Sequence, residues 1–372
     1  MTGKTTFEIF LATVPGLEAV LCDEVRHKGF RSPSVVPGGV TIRGGWPEVW
    51  RANLWVRGTS RVLARIDSFH VTHLAQLDHR ARQVAWADIL RPEVPFRVEA
   101  TCATSRIYHA GAAAERITRA IHETIGAPHA DNDDGVLVRA RFDQNVCTLS
   151  VDTSGDLLHR RGHKEAVNRA PIRETMASLF LRQCGYSGQE PVVDPLCGSG
   201  TFILEAAEIA ARLNPGRSRH FAFEKLATFD AEAWERMRTV KSERIPSVRF
   251  YGSDRDEGAV AMSEANAARA GITDFVTFAR ATISELQPPE GPVGLVIANP
   301  PYGTRIGDKK SLIPLYRALG QTLLARFSGW RVGIVTTESG LAHATGLPFL
   351  PPPAPVPHGG LRVTLFQTAP LP

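Results

Sequence analysis

Cysteine is scarce in this chain, with five in 372 residues: Cys22, Cys102, Cys147, Cys184 and Cys197. The number is odd and no two form a Cys-x-x-Cys pair, which excludes a disulfide framework or a zinc site of the usual spacing and suits a reducing compartment. No apolar run approaches the length of a membrane span, and the first residues lack a basic-then-apolar signal, so a cytoplasmic protein without a membrane partner is expected. His159 and His163 are four apart, but the glutamate of a metalloprotease helix is missing and Gly162 interrupts the stretch, so no metal is expected. A phosphate-cradling loop is missing too: Gly200 is followed by Thr201-Phe202 where a P-loop needs Lys-Ser/Thr. A dinucleotide fingerprint would need a third glycine or alanine where Ile203 stands. There are no internal repeats.

What is present is a soluble, core-forming composition, 43% hydrophobic, which at this length buries two or three cores. Lys and Arg number 43 against 38 acidic residues, a net charge of +5, which favours a polyanionic partner. Placement is more telling than the total. Arg160, Arg161, Lys164, Arg169 and Arg173 crowd one short stretch against the single acid Glu165, a candidate phosphate track for RNA or a solvated linker. Arg57, Arg61 and Arg65 recur at a spacing of four, but Arg61 to Ile66 is β-rich enough to be a strand, and the stripe stays unassigned.

The front of the chain alternates strand and helix signals. Phe7 to Ala12 reads as extended, Leu17 to Lys28 as a helix stopped by Gly29, and Gly39 to Arg43 as extended, a small α+β module over residues 1–65. A second module, 66–155, carries a helix from Ala110 to Ile125 capped by Gly126, between strands Phe96 to Ala100 and Val136 to Phe142. Neither contains a catalytic cluster, which suits binding and orienting a partner, or a purely structural role.

From about residue 165 the pattern becomes βαβ. Pro191-Val-Val-Asp-Pro-Leu-Cys-Gly-Ser-Gly-Thr-Phe reads as a buried strand, a tight turn through Asp194, Leu196, Cys197, Gly198, Ser199 and Gly200, and a helix opening at Thr201. Glycines there let backbone approach a ligand closely, and an acid such as Asp194 suits the cationic methionine moiety of S-adenosylmethionine. A second strand ends in Asp254, placed to bind ribose hydroxyls or to cap the following helix. A third leads to Thr282, and a fourth, Gly294 to Ala298, delivers Asn299-Pro300-Pro301-Tyr302. The fold class is therefore α/β, a doubly wound sheet preceded by two smaller α+β modules.

The Asn-Pro-Pro-Tyr loop carries the chemistry. A nucleobase amine is a poor nucleophile because its lone pair is delocalised into the ring, so a catalyst must hold it in line with an electrophilic methyl group. The Asn299 carboxamide oxygen and the Pro300 carbonyl can accept hydrogen bonds from that amine and stabilise the charge developing on nitrogen. The prolines stiffen the turn, and Tyr302 offers a ring for base stacking. Cys197 is a small packing residue, since direct attack needs no covalent intermediate.

These motifs resemble the class I methyltransferases that modify guanine N2 in RNA and carry an amino-terminal THUMP domain. The resemblance extends to Phe7-Glu-Ile-Phe-Leu-Ala-Thr-Val-Pro-Gly-Leu-Glu18, similar to the opening of a ferredoxin-like domain, and to Ser105-Arg-Ile-Tyr-His-Ala-Gly111 and Val151 to Gly162, similar to a THUMP core and its exit. Nearly the whole chain is covered, most like the short form of the bacterial 23S ribosomal RNA guanine-N2 methyltransferases. It implies a ferredoxin-like module (1–65), a THUMP domain (66–155) and a Rossmann-like catalytic domain (156–372). S-adenosylmethionine would be bound by the residues from Asp194 to Thr201 and by Asp254, the amine gripped by Asn299 and Pro300, and structured RNA would be the partner, with no obligate protein partner. Two departures stand out. Thr282 occupies the place where the family usually has an Asp that holds the adenine amine, and Pro348 to Pro357 is proline-rich where the family commonly has a basic stretch. Transfer RNA as substrate, a DNA adenine-N6 or cytosine-N4 methyltransferase, and a non-catalytic RNA-binding protein remain as rival readings.

Overall fold

The computed structural model describes residues 6–130, 134–165, 172–240, 243–302 and 309–372. Two compact units emerge, one of residues 1–13, 22–158 and 219–241, the other of 14–21, 159–218 and 242–372.

The first unit is built on β1 (Phe7–Ala12), α1 (Glu18–His27), β2 (Ser34–Val36), β3 (Gly39–Gly44), α2 (Trp46–Trp55), β4 (Arg61–His70), α3 (Leu74–Arg82), β5 (Phe96–Cys102), α4 (Ala110–Ile125), β6 (Val136–Asp143) and β7 (Val146–Asp152). The strands form one sheet in the order β2-β3-β1-β4-β7-β6-β5. β4 pairs antiparallel with β1 on one side and β7 on the other, so a single sheet runs through both front modules. Period-two alternation decides its faces. Val62 and Ala64 are fully buried, while Arg61 and Arg65 share the opposite face and pair with Asp152 and Glu8. Arg61 and Arg65 of the stripe are thus strand residues, while Arg57 lies buried ahead of β4. α4 buries Ala113, Ile117, Ala120 and Ile121, a helical stripe, and ends at Gly126 with φ 76°, a left-handed stop that glycine adopts without strain. Between β5 and β6 it makes the crossover that parallel neighbours require.

Residues 219–241 belong to this unit although they fall inside the interval assigned to the catalytic domain from sequence. The reason is aromatic: Phe221, Phe223, Phe229 and Trp234 cluster with Trp50 of α2, with Phe221 and Phe223 stacked at 5.1 Å. The stretch contains α7 (Ala231–Thr239).

The second unit holds α5 (Glu174–Gln183), β8 (Val192–Asp194), α6 (Thr201–Ala210), β9 (Phe250–Asp254), α8 (Glu257–Ala270), β10 (Val276–Arg280), β11 (Leu295–Ala298), α9 (Lys309–Arg326), β12 (Arg331–Thr336), α10 (Ser339–Ala344), β13 (Val356–His358) and β14 (Leu361–Gln367). Its sheet runs β10-β9-β8-β11-β12-β14-β13, parallel from β10 to β12 and closed by the antiparallel β14. Part of the proline-rich stretch is strand: β13 forms a hairpin with β14, Pro357 opposite Arg362. The first strand, β8, lies between β9 and β11, so the winding reverses there and a ligand crevice opens at the carboxyl ends.

Candidate active site

β8 is fully buried and ends at Asp194, where the chain turns sharply into α6. Gly198 and Gly200 have φ of 54° and 83°, a region closed to most side chains. The turn is wired throughout. Asp194 Oδ1 accepts from Leu196 N at 3.0 Å, Cys197 N donates to the Ser253 carbonyl at 2.9 Å, and Gly198 N donates to Asp254 Oδ2 at 3.1 Å. The other Asp254 oxygen accepts from Asp256 N at 3.0 Å. Burial pushes the Asp194 carboxyl up to about 8, and the neighbouring Asp254 pushes the same way. A cation beside these two acids would reverse that preference. Cys197 is buried and its thiol is raised above the ordinary range by the same desolvation, which fits a packing residue.

Two residues not singled out in the sequence hold this turn from α8. Ser263 Oγ donates to the Gly198 carbonyl at 2.9 Å and Asn266 Nδ2 to the Ser199 carbonyl at 3.1 Å, both side chains fully buried. Their signal was available: they are the polar residues on the apolar face of an alanine-rich helix.

The phosphate track is corrected at two of its five positions. Arg161 is 1% exposed and locked to Glu205 of α6, Nε to Oε1 at 3.0 Å. Lys164 Nζ donates to Thr201 Oγ1 at 2.6 Å and pairs with Glu174 Oε1 at 2.9 Å. Both are consumed inside the unit, where unpaired charge would be costly. His163 is likewise buried against Glu208. Burial lowers His159 to about 4. Arg160 and Arg173 remain at the surface, and Arg169 lies outside the described residues.

At the end of the fully buried β11, Asn299 carries an Oδ1 that is buried without a hydrogen-bond partner among the described residues. Pro300 is buried. The Pro301 carbonyl accepts from Tyr316 Oη of α9 at 3.3 Å, and that hydroxyl also meets Thr336 Oγ1 of β12 at 3.2 Å. Tyr302 is only 8% exposed, and burial raises its hydroxyl to about 12. The ring is therefore covered, and the expectation of an open stacking platform is corrected: a base reaching it must first displace what covers it.

Beyond Asp254 an open cleft of about 600 Å³ is lined by Arg255, Asp256, Arg280, Ala281, Thr282 and Glu285. Thr282 Oγ1 donates to Glu285 Oε2 at 2.7 Å, and its N–H reaches the same oxygen at 2.8 Å. The Thr282 backbone N–H, then its hydroxyl, hold the Glu285 carboxyl below its ordinary range. Where the family's aspartate was missed in the sequence, a carboxylate thus lines the cleft from three residues further on.

An acid and a glycine turn after the first strand, an acid after the second and Asn-Pro-Pro-Tyr after the fourth, on this strand order, define an S-adenosylmethionine-dependent methyltransferase with a Rossmann-like fold. The residues fit that cofactor on their own terms, with acids for a cation, left-handed glycines for close approach and a cleft beside the second acid. Residues 161–347 match the family model for the RMKL-like methyltransferase domain, and the chain belongs to that family. Residues 8–63 match the RlmL ferredoxin-like domain. A Synechocystis sp. protein named "Putative RNA methyltransferase slr0064" is 29% identical, covering 98% of this chain and 97% of its own. Among solved structures, SMU.472, titled "a putative methyltransferase complexed with SAH", superimposes with a TM-score of 0.89 at 26% identity, covering 99% of both chains. A Listeria monocytogenes protein titled "a predicted N6-adenine-specific DNA methylase" gives 0.86 at 27%, covering 97% of this chain and 96% of its own.

Proposed function

We propose that the protein methylates the exocyclic N2 of a guanosine in RNA, with large-subunit ribosomal RNA as the substrate. The observation that carries the reading is the buried, unpartnered Oδ1 of Asn299: a buried acceptor without a donor costs about 1–3 kcal/mol, and an amine placed against it removes that penalty. Bound S-adenosylmethionine supplies an electrophilic methyl group on a sulfonium centre. Asp194 would face its positive charge, the turn from Leu196 to Thr201 would frame it, Asp254 would hold its ribose hydroxyls, and the Glu285 carboxylate beside Thr282 would accept from the adenine amine. Asn299 Oδ1 and the Pro300 carbonyl take the two amine hydrogens and turn the nitrogen lone pair toward the methyl group. As the new N–C bond formed and the sulfur–methyl bond broke, its electron pair staying on sulfur in the neutral thioether that departs, they would stabilise the positive charge on nitrogen, whose proton would then leave to solvent.

RNA as substrate is supported by the Synechocystis relative's name, and the ribosomal assignment by the resemblance of the sequence motifs to the 23S ribosomal RNA guanine-N2 methyltransferases. The front unit shows no catalytic cluster among its described residues and serves to dock structured RNA, with Arg160 and Arg173 as the phosphate contacts of the second unit. A cytoplasmic site of action belongs to the same reading.

Transfer of labelled methyl to protein-free ribosomal RNA, bulk transfer RNA and duplex DNA tests this, with nucleoside digestion. Label in N2-methylguanosine from ribosomal RNA, reduced at least a hundredfold by Asn299→Ala, is expected. Label confined to transfer RNA would reassign the substrate, and label in DNA would sink the reading.

A further inference from the structure

Asn299 Oδ1 is buried, so it meets an amine only on a base that has left its stack. Extrusion opens a gap between the flanking bases, and an apolar side chain such as Leu or Phe can enter such a gap as a wedge. A wedge serving this site has to stand beyond the amine grip by about the reach of one nucleotide, be stiff, and keep an apolar tip uncovered.

The hairpin of β13 and β14 has all three properties. β12 lies beside β11 in parallel register, Ala298 opposite Ile334, and Tyr316 Oη joins Thr336 Oγ1 to the Pro301 carbonyl, so Thr336 stands level with the amine grip. β14 returns antiparallel with Thr364 opposite Thr336. Leu361 is three residues past that pair, which at strand rise carries it about 10 Å beyond the carboxyl ends of the strands. Stiffness comes from Val356 and Val363, paired across the hairpin and buried, from the fixed φ of Pro355 and Pro357, and from Arg362, whose Nη2 donates to the Pro355 carbonyl. Gly359 and Gly360 close the tip with φ of 56° and 83°, the two left-handed residues of a tight turn. Among the described residues, no atom lies within 4 Å of where a side-chain carbon on either glycine would sit, so the tip projects into open space. Leu361 beside it is 40% exposed. The charge suits a polyanion: Arg362 is exposed, and residues 339–372 contain no Asp or Glu to repel phosphate.

We propose that Leu361 is a wedge that enters the RNA helix in the place of the extruded guanosine, with Arg362 on the adjoining phosphate. The assignment rests on the guanine-N2 reading above. The test uses the full chain and a ribosomal RNA fragment spanning the labelled guanosine, prepared with that guanosine either paired within a continuous helix or single-stranded. The wild type should methylate both. Leu361→Ala and Leu361→Ser should each lose about ten- to a hundredfold in kcat/KM on the paired form, the cost of leaving one opened step unfilled, and stay within about twofold on the single strand. Leu361→Met, which keeps an apolar tip of similar reach, should restore transfer to the paired form. KM for S-adenosylmethionine and the melting temperature should not move in any of the three, which separates a wedge from a packing residue. Equal losses on both forms, undiminished transfer to the paired form in the Ala and Ser variants, or a wild type that labels only the single strand would overturn the assignment while leaving the guanine-N2 reading intact. A wild type that labels guanosine in neither form removes the reading beneath it, and the assignment with it.

Discussion

Replacing Asp194 with Asn should make the unliganded protein more stable and the cofactor complex weaker. The carboxyl stands at about 8 in the folded chain against an ordinary 3.8, because burial disfavours its charged form. A group raised in this direction contributes most to folding below its ordinary value and withdraws that contribution as pH climbs to the folded value. At pH 7 the withdrawal spans the interval from 3.8 to 7, and at about 1.4 kcal/mol per pH unit it comes to roughly 4 kcal/mol, an upper figure for this fully buried group. Asn keeps an oxygen for the Leu196 N–H and never ionises. The melting temperature without ligand should therefore rise by up to about 10 °C at pH 7 and above, and hardly at all at pH 4. S-adenosylmethionine must ionise Asp194 on binding, so wild-type affinity should climb about tenfold from pH 7 to 9, while the Asn variant binds weakly with a flat profile. Thermal denaturation across pH and calorimetric titration of both proteins read these effects. A variant destabilised more at pH 8 than at pH 4, or a wild-type affinity flat over that range, would refute the assignment of a cation-facing role.

Two further perturbations separate roles that the sequence ran together. Arg161→Ala leaves Glu205 buried without its cation and should cost about 3–5 kcal/mol in chemical denaturation, while Arg161→Met with Glu205→Met should recover most of it. The salt dependence of RNA binding by the folded fraction should be unchanged, whereas loss of a phosphate contact would lower the slope by about one. Tyr316→Phe keeps the ring and removes the tether on the Pro301 carbonyl, so kcat should fall about three- to tenfold with KM for S-adenosylmethionine unaltered. A raised KM at constant kcat would show that the tether shapes the cofactor site instead.

Local rules made much of this legible in advance. Glycine stops after α1 and α4, the extended run of β1, and an acid or Asn after the first, second and fourth strands of the second sheet follow from neighbours within a few residues, and the sheet order then brings those ends to one edge. The failures have a common cause in distance along the chain. Arg161, His163 and Lys164 read as a basic track because Glu205, Glu208 and Glu174, which neutralise them, sit on other elements. The covering of Tyr302 and the α8 clamp on the glycine turn are likewise products of packing, although buried Ser263 and Asn266 were marked by their own polarity. The aromatic stretch from Phe221 to Trp234 carried no sign of which core it would join.

That stretch sets an order for folding during synthesis. A ribosome that has released the chain as far as Leu158 has delivered every strand of the first sheet, yet not the rings of Phe223 and Phe229 that cover Trp50. The amino-terminal unit must wait, its tryptophan bare, until the glycine turn of the second unit has already left the ribosome. Completion of the older part of the polypeptide thus depends on sequence lodged inside the younger, and a break introduced between the two would leave each with an unfinished core.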